Sequence, residues 1–229
     1  MILAIHQPNY FPWLGYFRKI AESDIFVFLD DAQYTKNSYI NRVQIAAAEG
    51  ARWLTVPVSY AFGEAINRVR FARADWRRAH LDTLRGVYAA APAFKSVWSR
   101  IGELYASLPD ENLARANGAA IAAIAGELGL KCQFRFASEL GVDGRADARL
   151  AAIGRAVAPG GTYLSGKGGE KYQSEATFAA AGLALRYTDF VHPVYDQGRR
   201  PFVAGLSVLD AVFHLGWAGA AGLIAGAAR

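Results

Sequence analysis

Residues 1–31 read MILAIHQPNYFPWLGYFRKIAESDIFVFLDD, and their patterning decides the class of fold. Residues 2–6 are a short apolar run ending on a polar side chain, His6, and residues 7–12 then hold two prolines, which forbid an ordinary helix interior. From 13 to 22 the apolar residues recur at helical spacing, while DIFVFLD at 24–30 is a continuous apolar run between acids, the pattern of a strand buried on both faces. Strand, ordered loop, helix and strand in that order open an α/β fold. The loop then lies at the carboxyl end of the first strand, where open parallel sheets hold their ligands.

Further along, apolar runs at 43–46 and 53–58 predict a hairpin turned at Glu49-Gly50. Ala/Leu/Arg-rich segments broken by Pro92 and Pro109 predict three helices, at about 75–90, 94–107 and 111–128. Strand patterns return at 133–137, 161–164 and 183–187, with helices at about 146–157, 171–181 and 207–217. The expectation is one α/β domain over 1–229, built on a mostly parallel sheet with flanking helices and carrying a helical insert at about 75–130.

The chain has 229 residues, 53% hydrophobic and 20% charged, which excludes intrinsic disorder. A single cysteine, Cys132, and four scattered histidines exclude a disulfide scaffold and a structural zinc site, and no metal ligand set is expected. The net charge of +5 is spread over both halves, so no nucleic-acid face is expected. The first residues have no basic n-region, and the apolar run breaks at His6; this is not a signal peptide, and cytoplasmic residence is the expectation. Residues 204–228 are the most apolar stretch, but Asp210 and His214 interrupt it, so it reads as a helix and tail against the core, with no membrane span.

Four groups of residues could carry chemistry. In the first, His6 ends a strand and is followed by Gln7, Asn9 and Tyr10 in a proline-stiffened loop, which offers a tunable proton acceptor beside fixed hydrogen-bonding groups. In the second, Asp30 and Asp31 end the next strand, with Asn41 and Arg42 close behind. Asp30 would orient His6 or bind a substrate hydroxyl or amine, and Arg42 would grip an anion; the plain alternatives are a solvated turn and a surface ion pair. The third is YLSGKGGEKY at 163–172, in which the backbone of Ser165, Gly166, Lys167 and Gly168 would cradle a phosphate or carboxylate, with Tyr172 beside it and a helix starting near Glu170. A valine at Gly168 is expected to resist the positive φ that such a loop would use. The fourth comprises Tyr195, Gln197, Ser207 and Asp210, where Ser207 and Asp210 read as a helix cap. GxSxG, HExxH and CxxC are all absent, and the GxxxxGK[ST] spacing is not met at 163–172.

HQPNYFPWLGYFRKI (6–20), DIFVFLDDAQYTKNSYINRVQI (24–45), WLTVPV (53–58), YLSGKGGEKY (163–172) and LSVLD (206–210) together resemble the WbqC-like protein family, in the expected order over nearly the whole chain. The resemblance implies a role in bacterial surface-polysaccharide biosynthesis, including O-antigen, or in a related pathway, on amino sugars. Joined to the residues, it leads to an expected transferase that acylates an amine on a nucleotide-linked amino sugar, taking the acyl group from an acyl carrier protein or another activated donor. His6 would be the base, and backbone N–H groups at 166–169 or the Asn9 amide would steady the oxyanion. No cofactor is expected. Two alternatives are a nucleotidyl-type transferase using His6 and Lys167, and a non-catalytic sugar- or carrier-binding protein that stacks its ligand on Tyr10, Phe11 and Trp13.

Overall fold

The alternation along β1 (Ile2–His6) divides the molecule: Leu3 and Ile5 pack into one apolar cluster and Ala4 into another, on opposite faces of a sheet. The computed structural model describes residues 1–198 and 201–226. After β1 come α1 (Leu14–Ala21), β2 (Ile25–Phe28), β3 (Arg42–Ala46), β4 (Ala51–Thr55), β5 (Val58–Ser59), β6 (Arg70–Phe71), α2 (Trp76–Tyr88), α3 (Phe94–Ser107) and α4 (Leu113–Glu127). The chain continues through β7 (Gln133–Phe136), α5 (Ala146–Val157), β8 (Thr162–Gly166), α6 (Glu175–Ala180), β9 (Ala184–Thr188) and α7 (Val208–Gly226).

Five strands form one parallel sheet in the order β7-β2-β1-β8-β9. Strands β1 and β2, inside the sheet, read as apolar runs because both faces are covered. Phe17 and Ile20 of α1 join the cluster that holds Ala4, Phe26 and Leu164, whereas Ile153 of α5 and Phe178 of α6 join the one that holds Leu3, Ile5 and Val27. Each of these aliphatic and aromatic side chains contributes roughly 1.5–3 kcal/mol by leaving water. The chain thus runs outward from β1 by way of α1, and returns by way of α5 to the other side of β1. The reversal of strand order lies between β1 and β8, and that is where the carboxyl ends of an open sheet part to leave a crevice.

The predicted hairpin is present as β3 and β4, antiparallel, with Gly50 at φ 71° in the turn. Pro57 lacks an N–H for a strand ladder, so the expected strand at 53–58 divides into β4 and β5 around it. The helix expected at 171–181 is instead a 3₁₀ turn, Lys167–Lys171, followed by the short α6. Helix α7 runs past the expected end, and Gly216 (φ 72°, ψ 176°) breaks its helical geometry. It is the one helix among the described residues that is long and apolar enough, by length and composition, to cross a membrane. The break leaves two shorter segments, and Val208 to Phe213 are buried in the core. Ala227 and Ala228, the end of the apolar stretch, lie outside the described residues.

Candidate functional site

The loop at residues 7–12 is held in place through its carbonyls. The Gln7 carbonyl accepts from His6 Nδ1 (3.1 Å) and from the Tyr16 hydroxyl (2.9 Å), and the Pro8 carbonyl accepts from Asn117 Nδ2 (2.8 Å). The Phe11 carbonyl accepts from Ser207 Oγ (2.7 Å), and the Pro12 carbonyl from the Val208 N–H (2.9 Å). Phe11 itself is at φ 39°, a strained backbone for a residue with a Cβ, and its aromatic ring is fully buried and stacked on Tyr105. The segment LSVLD therefore acts at a distance of nearly 200 residues as the back support of the first loop. Asp210 is not the capping residue the sequence suggests; its buried carboxylate accepts from the hydroxyls of Tyr88 (2.9 Å) and Tyr195 (2.7 Å).

This support aims His6 into a cleft of about 650 Å³ at the reversal between β1 and β8, a volume in the usual range for small-molecule sites. Because a carbonyl only accepts, the bond to Gln7 puts the imidazole proton on Nδ1 and leaves the lone pair of Nε2 without a partner among the described residues. The half-buried ring sits edge-on to Tyr16 at 4.9 Å and to Trp13 at 6.5 Å. Burial, and then the nearby Lys19 ammonium, lower its pKa to about 4, with the Gln7 bond opposing, so His6 is neutral at pH 7.

Across the cleft, Ser165 and Gly166 end β8, and Lys167, Gly168 and Gly169 open the 3₁₀ turn. None of these glycines has positive φ, and a Cβ at Gly168 would meet nothing within 4 Å, so the conformational demand expected there is absent. The tight position is Gly169, where a Cβ would stand 2.5 Å from Gln173 Oε1 and 2.6 Å from Ser165 Oγ. The N-terminus of α6 does not face an open ligand position either: the Ser174 N–H is taken by the Asp147 carboxylate at 2.8 Å. Phe190 closes one side, and Gly15 lets it do so, since a Cβ there would lie 2.7 Å from the Phe190 ring.

Of the residues singled out from the sequence, His6, Ser165, Gly166, Lys167, Gly168 and Tyr172 line this cleft together. The others lie elsewhere. The Asp30 carboxylate is buried and accepts from the Ser138 N–H (3.0 Å), Ser138 Oγ (2.6 Å) and Asn67 Nδ2 (3.4 Å), so it neither orients His6 nor faces the cleft. Tyr10 points into the core, its hydroxyl 2.7 Å from His80 Nδ1 and 2.8 Å from the Tyr105 hydroxyl. Asn9 is buried and does not line the cleft, and Gln7 contributes only its carbonyl. Asn41 Nδ2 donates to the Val56 carbonyl (3.1 Å), while the Arg42 guanidinium lies 4.0 Å over the Trp53 ring and donates to the Asn37 carbonyl.

The cleft also contains residues that the sequence did not single out, chiefly Lys19, Tyr16, Gln173 and Thr188. Its charged and titratable lining includes His6, Lys19, Lys167 and His192, with no carboxylate among the lining residues, a setting that favours an anionic ligand. Lys167 itself faces Asp189 at 3.4 Å, with both side chains mostly in water. Among the described residues no group of three or more His, Cys, Asp or Glu is placed to hold a metal ion.

No solved structure matches the chain significantly. It is 32% identical over 218 residues to the "Uncharacterized protein Rv1507c" of Mycobacterium tuberculosis, covering 93% of this chain and 94% of that protein. The model of the WbqC-like protein family matches residues 7–221, from the loop after His6 into α7, and the chain belongs to that family.

Proposed function

We propose that the cleft binds a nucleotide-linked amino sugar and that the protein transfers an acyl group to the sugar amine from a carrier-bound or otherwise activated donor. The observation that carries this reading is that the free Nε2 of His6 and the turn after β8 face the same cleft from either side of the strand-order reversal. Acyl transfer needs both sides. As the amine attacks the acyl carbonyl, Nε2 accepts the proton from the developing ammonium, and the oxyanion needs donors opposite. The first N–H groups of a 3₁₀ turn have no partner within that turn, and here they belong to Lys167 and Gly168. Collapse of the tetrahedral intermediate breaks the bond to the donor's leaving group, which recovers the proton from His6. The aromatic rings of Trp13 and Tyr172 offer faces for a sugar or a base, and the two lysines of the lining, Lys19 and Lys167, suit the phosphates that link them.

The test is product formation, read by mass spectrometry, from purified protein given a panel of nucleotide-linked amino sugars and acyl donors. His6→Ala should abolish the product. If no pairing yields product, and His6→Ala leaves the cell's surface glycan intact, acyl transfer is discarded. A second reading, a sugar- or carrier-binding protein without chemistry, is favoured by the His6 pKa of about 4, which makes a weak base at pH 7. Under that reading Trp13→Ala removes function and His6→Ala does not.

A further inference from the structure

Lys19 lies on α1 with only 5% of its surface exposed, and it lines the cleft beside His6. Its Nζ donates to the Ile5 carbonyl at 2.9 Å. An ammonium has three N–H groups to place, and a buried one ordinarily faces a carboxylate. Among the described residues none pairs with it. Glu22, the acid at the end of its own helix, is held by Arg18 and Arg186. Helix α7, which packs on α1, offers Asp210, but that carboxylate is occupied by the hydroxyls of Tyr88 and Tyr195. The other titratable groups lining the cleft are His6 from β1, Tyr16 from α1, Tyr163 from β8, Lys167 from the turn, Tyr172 just after it and His192 after β9, and none of them is an acid that could pair with an ammonium as a carboxylate does.

We propose that Lys19 anchors an oxyanion subsite on the floor of the cleft, which receives a phosphate or carboxylate oxygen of the substrate and takes up a proton as it does so. The proposal rests on the cleft being the substrate site and is independent of acyl transfer being the reaction. An ammonium buried without a counter-charge is costly, and loss of water pulls the Lys19 pKa down to about 7. An anion placed against it supplies the missing charge and raises that pKa. By linkage, what raises a pKa on binding draws a proton in, and the anion's affinity falls as pH climbs above the free-state value. His6 would answer the same anion with its own uptake, but from a value near 4, well below the range in which Lys19 responds. Lys167 is a weaker candidate for the role, being mostly exposed and already facing Asp189.

The test is a carbon NMR titration of lysine Cε in the whole protein, with inorganic pyrophosphate and acetate as separate probes. One lysine should titrate near 7 in the free protein, and a saturating probe should move it up by at least about one unit, equivalent to roughly tenfold tighter binding to the protonated form. Whichever probe does so identifies the oxyanion as phosphate or carboxylate. Calorimetry at about pH 8, in two buffers of different ionisation enthalpy, should show proton uptake that disappears in Lys19→Met; in Lys19→Arg binding should persist without uptake. If every lysine titrates near its ordinary value, if neither anion binds saturably, or if uptake survives in Lys19→Met, the subsite is overturned. Should Lys19→Met fail to fold, the titration of the unmodified protein decides. A shifted Lys19 without acyl transfer removes the reaction and keeps the subsite; acyl transfer with an unresponsive Lys19 does the reverse.

Discussion

Two histidines, His6 at the cleft and His80 in the helical region, share a pKa pressed to about 4 by burial, yet they are placed for different work. His80 Nε2 lies 3.0 Å from the Thr55 carbonyl and must donate to it, so Nδ1 accepts from the Tyr10 hydroxyl at 2.7 Å. Both of its nitrogens are committed. His6 commits only Nδ1, to its neighbour's carbonyl, and presents Nε2 to a cleft. One loop joins the two environments, since Tyr10, whose hydroxyl reaches His80 from helix α2, belongs to the segment that follows His6. A depressed pKa therefore does not by itself mark a functional position, and what separates the two histidines is that His6 keeps an uncommitted lone pair and His80 does not.

The sharpest way to break this comparison is to truncate each histidine. His6→Ala should lower the turnover of the proposed acyl transfer by about 10²–10⁴-fold, with unfolding in urea changed by no more than about 1 kcal/mol. His80→Ala should do the opposite. It strands the buried Tyr10 hydroxyl and the Thr55 carbonyl and opens space among aromatic rings, a combination that costs about 2–4 kcal/mol in urea denaturation. Turnover of the folded fraction should stay within a few-fold of the parent. A catalytic loss at His80 or a stability loss at His6 would exchange their roles.

Acid sharpens the comparison next. Both histidines have folded pKa values of about 4 against 6.5 for the free side chain, so the unfolded chain binds more protons between those values. The stability contributed by holding them neutral is complete above about pH 6.5 and is lost as pH falls towards 4. Each unit of pKa difference corresponds to about 1.4 kcal/mol at most, and the half-buried His6 delivers less than the 5%-exposed His80. The urea midpoint should accordingly fall across that window, and His80→Gln should flatten the slope more than His6→Gln does.

The two glycines of the turn after β8 form a smaller contrast of the same kind. Gly169→Ala forces its Cβ against Gln173 Oε1 and Ser165 Oγ, whereas Gly168→Ala points into open space. The clash is with side-chain ends that can swing, but they belong to the cleft floor. Anion binding should weaken by roughly tenfold in Gly169→Ala, equivalent to about 1.4 kcal/mol, and be unchanged in Gly168→Ala, as titration with pyrophosphate would show.

Legibility in the sequence follows the range of each interaction. Strands β1 and β2 are readable because burial on both faces leaves apolar runs, and His6 lies at the cleft by its position at the end of β1. Lys19 was not readable, because a basic residue on a helix ordinarily faces water, and only the packing of α1 beneath β1 brings its Nζ to the Ile5 carbonyl. Neighbouring strand ends put Asp30 beside His6 on sequence grounds; the Ser138 that captures it comes 108 residues later, and no local pattern announces it. The sequence presents Arg42 as an anion contact because nothing nearby predicts the Trp53 ring that the hairpin lays beneath it. At Gly168 composition suggested an unusual backbone, but the need for glycine lies one residue on and is steric.

The cleft's two lysines repeat the contrast of the two histidines at its weakest. Lys19 is enclosed and has no counter-ion among the described residues, whereas Lys167 stands 70% exposed, with Asp189, itself 71% exposed, at 3.4 Å. Water and salt screen such a pair, so it adds little to the fold. Removing the charge in Lys167→Ala should leave urea stability within about 0.5 kcal/mol of the parent. Towards an anion, Lys167 acts as a distant, screened point charge, partly cancelled by Asp189. Pyrophosphate binding should weaken only about two- to fivefold at low salt, with the difference vanishing at about 0.5 M salt, where the screening length is only a few ångströms. Lys19→Met should lower the same affinity at both salt concentrations, because salt does not reach a contact made inside the cleft. Equal salt sensitivity in the two variants would mean that the anion sits at the rim beside Lys167 and not on the floor beside Lys19.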